Sequence, residues 1–131
     1  MENIIRFGIS IEPELLEKFD AIIKKKGYTN RSEALRDLIR AQIIQEQNAN
    51  PNHQGLGTLT ILYNHHSGSL TERLLELQHE HYQHILTTTH IHVDHDNCLE
   101  ILILQGKIGD IQTLADNIKA LKGIKHGEFV L

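Results

Sequence analysis

The sequence predicts an α+β protein in two parts, a strand–helix–helix arm followed by a βαββαβ domain. Three observations predict it. Apolar residues alternate over residues 4–11 and then recur at helical spacing over two further stretches. Beyond residue 56 the pattern runs strand, helix, strand, strand, helix, strand. Between the two lies Asn48-Ala49-Asn50-Pro51-Asn52-His53-Gln54-Gly55, a polar run with Pro and Gly that reads as a linker. The expected boundaries are therefore 1–48 for the arm, 49–55 for the linker and 56–131 for the second domain. Composition changes at the same place. All ten histidines lie at or beyond His53, and residues 1–50 hold eight Lys/Arg against eight Asp/Glu.

The first strand places Ile5, Phe7, Ile9 and Ile11 on one face and Ile4, Arg6, Gly8 and Ser10 on the other. Pro13 suits a first helical position, and Leu15, Leu16, Phe19, Ile22 and Ile23 form the stripe of a helix that Gly27 ends near Lys26. Asn30 reads as the N-cap of a second helix to about Gln47, with Glu33 closing a capping box. An arm this small has little core, and its lone strand has two open edges. Antiparallel pairing with the same strand of a second chain answers both problems. The resulting ribbon shows Arg6, Gly8 and Ser10 twice, in a form that fits the DNA major groove. Free N–H groups at Asn30, Arg31 and Ser32 make a phosphate anchor. With IRFGISI followed by KKKGYTNRSEALRDLIR, the arm resembles a ribbon-helix-helix DNA-binding domain.

The second domain has expected strands at about 56–64, 86–94, 98–105 and 124–131, and helices at about 69–84 and 110–122. That order is the split βαβ (ferredoxin-like, ACT-like) arrangement, an antiparallel sheet with both helices on one side. Leu70, Leu74 and Leu77, with Leu75 beside them, form the stripe of the first helix. The apolar uncovered sheet face calls for a second copy.

The stretch HIHVDHDNC at 90–98 carries the chemistry. Strand alternation puts His90 and His92 on one face and Ile91 and Val93 on the other. Leu99, Ile101 and Ile103 are expected to face the core with Ile91 and Val93, which leaves Cys98 and Glu100 on the histidine side. A two-residue turn at Asp96-Asn97 breaks that agreement, so the connection should hold an odd number of residues. Two imidazoles and a thiolate are three of the four donors a transition metal takes. The helix end QHEHYQH at 78–84 offers a fourth, without indicating which histidine or which chain supplies it.

The arm, the linker, the βαββαβ domain and the run QH…THIHVDHDNCLE together resemble the nickel-responsive transcriptional regulator family. The resemblance implies that His90, His92 and Cys98 bind Ni(II) within one subunit. It implies that His79 completes the site from a neighbouring subunit of a homotetramer, a dimer of dimers. It places Arg6, Gly8 and Ser10 on the base-reading ribbon over a palindromic operator in double-stranded DNA. It also suggests Glu33 and Asp37 as carboxylates of a second, hard-cation site, although Glu33 has its capping role. Glu100, next to Cys98, and Gln78 are the expected supports of ligating imidazoles. His65, His66, His81 and His95 are left over as weaker sites or none.

The totals agree with such a role. A net charge of −4 gives no overall basic field, so the metal-free chain should bind DNA weakly. No apolar run can span a bilayer and no signal-peptide segment is present, so a cytoplasmic protein without membrane partners is expected. One cysteine makes no internal disulfide. A zinc- or copper-responsive regulator of the same fold is the alternative. A metalloenzyme is disfavoured, because four protein donors leave no open coordination position.

Overall fold

The computed structural model of the chain describes residues 3–131. It separates into two compact units that divide at Ile44 and Gln45, inside the last turns of the second helix.

In the first unit, helix α1 (Pro13–Lys25) opens on Pro13, whose missing N–H is no loss in a first turn. Gly27, at φ +89°, takes the left-handed turn that stops it. Helix α2 (Arg31–Asn48) opens where the Asn30 Oδ1 accepts the Glu33 N–H at 2.9 Å. The second half of the expected capping box is absent. The Glu33 carboxylate turns instead to Arg36 and Arg40. Residues 3–11 form no strand within one chain. Their alternation is that of a strand, but a strand needs a hydrogen-bonded neighbour, and the described residues offer none. Among the described residues of this unit only Ile23 and Ala34 are buried, while Phe7 and Ile9 remain 73% and 61% exposed.

The second unit is a four-stranded antiparallel sheet with strands β1 (Gln54–Asn64), β2 (Ile85–His92), β3 (Asn97–Lys107) and β4 (Ile124–Val130), in the order β2-β3-β1-β4. Helices α3 (Leu70–Glu80) and α4 (Ile108–Lys119) pack on one face. The βαββαβ expectation holds. The core lies between that face and the helices, with Leu59, Ile61 and Tyr63 from β1, Leu102 and Leu104 from β3, and Ile111, Leu114 and Ile118 from α4. Each such aliphatic side chain contributes about 1.5–3 kcal/mol on full burial. Gly57 is required on β1 because a Cβ there would enter the Phe129 ring.

Three expectations need correction. The helix-covered face of β3 carries Cys98, Glu100, Leu102 and Leu104, whereas Leu99, Ile101 and Ile103 are half-buried on the opposite face. Both faces of β3 are apolar enough for either to be the core, so alternation separated the two sets without saying which one the helices cover. Leu75 is 61% exposed and lies outside the core that holds Leu70 and Leu74. The first helix ends at Glu80, and a short 3-10 turn, Tyr82–His84, leads into β2. Residues 51–53 are hydrogen-bonded to the start of α4. The Pro51 and His53 carbonyls accept the Gly109 and Ile108 N–H groups at 2.9 Å each, which satisfies donors that the first turn of α4 leaves open.

Candidate metal centre

The site grows from the register of three strands. His92 opposes Cys98, and His90 opposes Glu100, across β2 and β3. Residues 93–97 lie between His92 and Cys98, the odd connection that parity required. On the other side Tyr63 of β1 opposes Cys98. All these side chains share the helix-covered face, so Cys98 is enclosed at 0% exposure while the imidazoles of β2 stay open to solvent.

The Cys98 Sγ lies 3.5 Å from the His92 Nδ1 and 3.4 Å from the His65 Nδ1. The His90 and His92 rings stack with centroids 5.3 Å apart. His65 is the donor that sequence reasoning left among the spare histidines. It follows β1 on the parity of Leu59, Ile61 and Tyr63, and counting that alternation two residues further would have placed it beside Cys98. Among the described residues, His65, His92 and Cys98 bring one donor atom each within 4.8 Å of one another. His90 is adjacent to this group but does not join it.

Burial pushes the Cys98 thiol up, and the nearby Glu100 and Asp94 carboxylates push it further. Burial likewise lowers the His65 imidazole, helped by its His66 and His92 neighbours. The His65 shift favours the neutral imidazole that binds a cation, whereas the Cys98 thiol must give up its proton to do so. Glu100 is the buried carboxylate of the unit, at 7% exposure. Its Oε2 accepts the Gln78 amide at 2.8 Å, its Oε1 lies 3.5 Å from the Tyr63 hydroxyl, and the His90 Nδ1 is 3.9 Å away. Burial, followed by the Glu100 charge, raises the Tyr63 hydroxyl well above its ordinary value. Gln78 thus ties α3 to β3, and the next residue on the helix, His79, is turned outward and exposed.

The donors present fit a borderline divalent ion. Imidazole nitrogen and thiolate sulfur are the ligands that nickel, copper and zinc accept. Residues 56–131 match the family described as "NikR C terminal nickel binding domain", and residues 5–46 match "Ribbon-helix-helix protein, copG family".

The chain belongs to the nickel-responsive regulator family.

Relatives of this family run the length of the chain. A putative nickel-responsive regulator of Trichlorobacter lovleyi is 47% identical over 131 residues, covering 100% of this chain and 94% of that one. Another, of Pyrococcus furiosus, is 47% identical over 129 residues, covering 98% and 94%. Among solved structures, an uncharacterised protein of Thermotoga maritima matches 59% of this chain and 95% of its own at 19% identity, with a TM-score of 0.53. That likeness concerns the fold of the second unit. The first description names nickel binding, and the named relatives are regulators.

In this family member the expected DNA-facing residues of the first unit are partly committed elsewhere. Arg6, Gly8 and Ser10 are exposed. Arg6 lies near Ser32 and Arg36 around a shallow hollow. The Asn30 side chain is spent on the helix cap. Arg31 grips Asp20 through two hydrogen bonds of 2.9 and 2.8 Å, and this bond holds the Asp20 carboxyl below its usual range. Glu33 and Asp37 are also engaged. Arg40 donates to Asp37 at 2.6 Å, and the Tyr28 hydroxyl donates to it at 2.6 Å. A hard cation there would compete with Arg36, Arg40 and Tyr28. No described helix is long and apolar enough to cross a membrane.

Proposed function

We propose that the chain is a nickel-responsive, DNA-binding transcriptional regulator whose operator affinity rises when Ni(II) is held between subunits. The observation that carries this reading is the enclosed Cys98 thiol beside the His92 imidazole on a unit joined to a ribbon-helix-helix arm. Cys98, His92 and His90 would hold the ion from one chain, and the outward-facing His79 would complete it from a neighbour. Bound there, Ni(II) would supply a Lewis acid matched to imidazole nitrogen and thiolate donors.

The chain's own residues prepare that arrangement. The Gln78–Glu100 hydrogen bond fixes the turn of α3 that carries His79 against the strand that carries Cys98. Glu100 also faces His90, whose Nδ1 lies 3.9 Å from its carboxylate. The exposed Ile4, Phe7, Ile9 and Ile43 call for a second chain at the arm. The half-buried Leu99, Ile101 and Ile103 call for one at the sheet, as a dimer of dimers requires. Arg6 and Ser10 would then read a palindromic duplex, with the open amides of α2 on its phosphates. Such a protein works on DNA in the cytoplasm.

The test is a mobility shift on a palindromic operator, with and without stoichiometric nickel. At least about a tenfold gain in affinity is expected, equivalent to about 1.4 kcal/mol of coupling. Equal affinity in the two conditions overturns the proposal. Cys98→Ala should remove both the gain and the thiolate-to-metal absorption. The grouping of His65, His92 and Cys98 within one chain favours a second reading, a zinc- or copper-responsive regulator with a tetrahedral site. Metal-titrated absorption separates them, because planar nickel thiolates are coloured and zinc is silent.

A further inference from the structure

We propose that the polar hollow between the 3-10 turn and the start of α4 binds a free amino acid as its zwitterion, and that this ligand steadies the end of α3 that carries His79. The second step rests on the reading of His79 as a metal donor; the binding site does not.

The hollow has a volume of about 390 Å³ and is lined by Gln54, Gln83, His84, Gln105, Lys107 and Asp110. Small-ligand sites occupy roughly 300–1,000 Å³. This lining is polar throughout, so it suits a small charged molecule. The hollow is remote from the thiol. Lys107 ends β3 and Cys98 lies at its start, roughly 30 Å away along the strand.

Its groups are unspent. Among the described residues neither Lys107 nor Asp110 enters an ion pair, with each other or with any neighbour. The side-chain amides of Gln54, Gln83 and Gln105 likewise have no hydrogen-bond partner there. The His84 ring, by contrast, is fixed. Its Nδ1 lies 3.2 Å from the Gln105 carbonyl. A carbonyl only accepts, so Nδ1 carries the proton and Nε2 stays free for a ligand. At Gly106, whose φ is +150°, a Cβ would fall 2.5 Å from that Nδ1, so glycine is what leaves the ring its place.

Any one of these groups alone is ordinary surface. Together they set one cation, one anion and several neutral hydrogen-bonding groups around one concavity. The complement is a molecule that carries both signs and no net charge. Its carboxylate meets Lys107, its ammonium meets Asp110, and the amides and His84 take what remains. A ligand charged twice with one sign would face a like charge instead.

The same hollow reaches the helix of His79. The His81 N–H donates to the Leu77 carbonyl at 3.1 Å, and the His84 N–H donates to the His81 carbonyl at 2.9 Å, so the 3-10 turn continues directly from α3. A ligand held between Gln83 and His84 on one side and Lys107 and Asp110 on the other ties that turn to α4. His79 loses freedom with it, and a donor already ordered binds its metal more tightly.

The experiment uses the full chain, isotope-labelled and free of metal, with L-glutamine and glycine as probes. Saturable amide shifts at Gln83, His84, Gly106 and Lys107 are expected with at least one of them. Lys107→Met and Asp110→Asn should each weaken that binding at least about tenfold, and succinate, which lacks an ammonium, should bind weaker than the amino acid by a similar factor. Both side chains are exposed, so each variant should keep the remaining spectrum. No saturable shift with either probe overturns the site, as does undiminished binding to both variants. Succinate binding as tightly overturns the zwitterion. The second step is read from nickel titrations of the unsubstituted chain and Lys107→Met, with and without the tighter-binding amino acid. Free amino acid chelates nickel equally for both chains, so the difference between them belongs to the hollow. The two should titrate alike without it, and with it the unsubstituted chain should fill at nickel concentrations at least about fivefold lower. Identical titrations overturn the coupling. A chain that takes up no nickel overturns the reading of His79 and the coupling with it, and the amide shifts then decide the site alone.

Discussion

Glu100 brings a carboxylate into an aliphatic wall and is tolerated because Gln78 and Tyr63 meet it there. Glu100→Ala leaves a half-buried Gln78 amide and a buried Tyr63 hydroxyl without their partner. The expected loss is about 1–3 kcal/mol, read from the midpoint of urea unfolding. At this scale the sequence was a good guide to partnership and a poor one to depth. Alternation placed His90, His92, Cys98 and Glu100 on one face, and the register agrees. It could not tell that this face lies under the helices, because Leu102 and Leu104 there are as apolar as Ile101 and Ile103 opposite. His65 escaped because parity was not followed past the end of β1.

Helices reveal themselves where backbone chemistry forces a start or a stop. Pro13 and Gly27 marked the two ends of α1 and Asn30 the start of α2, each within a residue or two. Asn30→Ala removes the oxygen that takes the Glu33 N–H, and should lower the stability of the arm by about 1 kcal/mol, measured by thermal unfolding. The end of α3 had no such mark. The run His79-Glu80-His81-Tyr82 contains neither Gly nor Pro, and its composition suits a longer helix. Tertiary structure stops it instead. Ile85 must reach Leu104 to begin the β2 ladder, and the His84 Nδ1 meets the Gln105 carbonyl at 3.2 Å. The strand at 4–11 is the converse case, because its alternation was legible but the described residues of one chain offer it no hydrogen-bonded neighbour.

Across the whole molecule the two units differ in self-sufficiency. The second encloses a continuous core, whereas the described residues of the first bury only Ile23 and Ala34 and expose Ile5, Phe7 and Ile9. An arm of this kind becomes stable through a second copy. Phe7→Glu should therefore abolish ribbon pairing. Two phenyl rings at about 1.5–3 kcal/mol each make the loss of operator affinity at least about a hundredfold at saturating nickel. The thiolate absorption should survive, since Phe7 and Cys98 belong to different units. The completeness of the second core also bears on its one sulfur atom. Cys98 has no exposed surface, so an alkylating reagent meets it only during the brief excursions in which strands or helix lift away. Its labelling rate is thus a built-in clock for the breathing of the fold, and no reporter group need be added to read it.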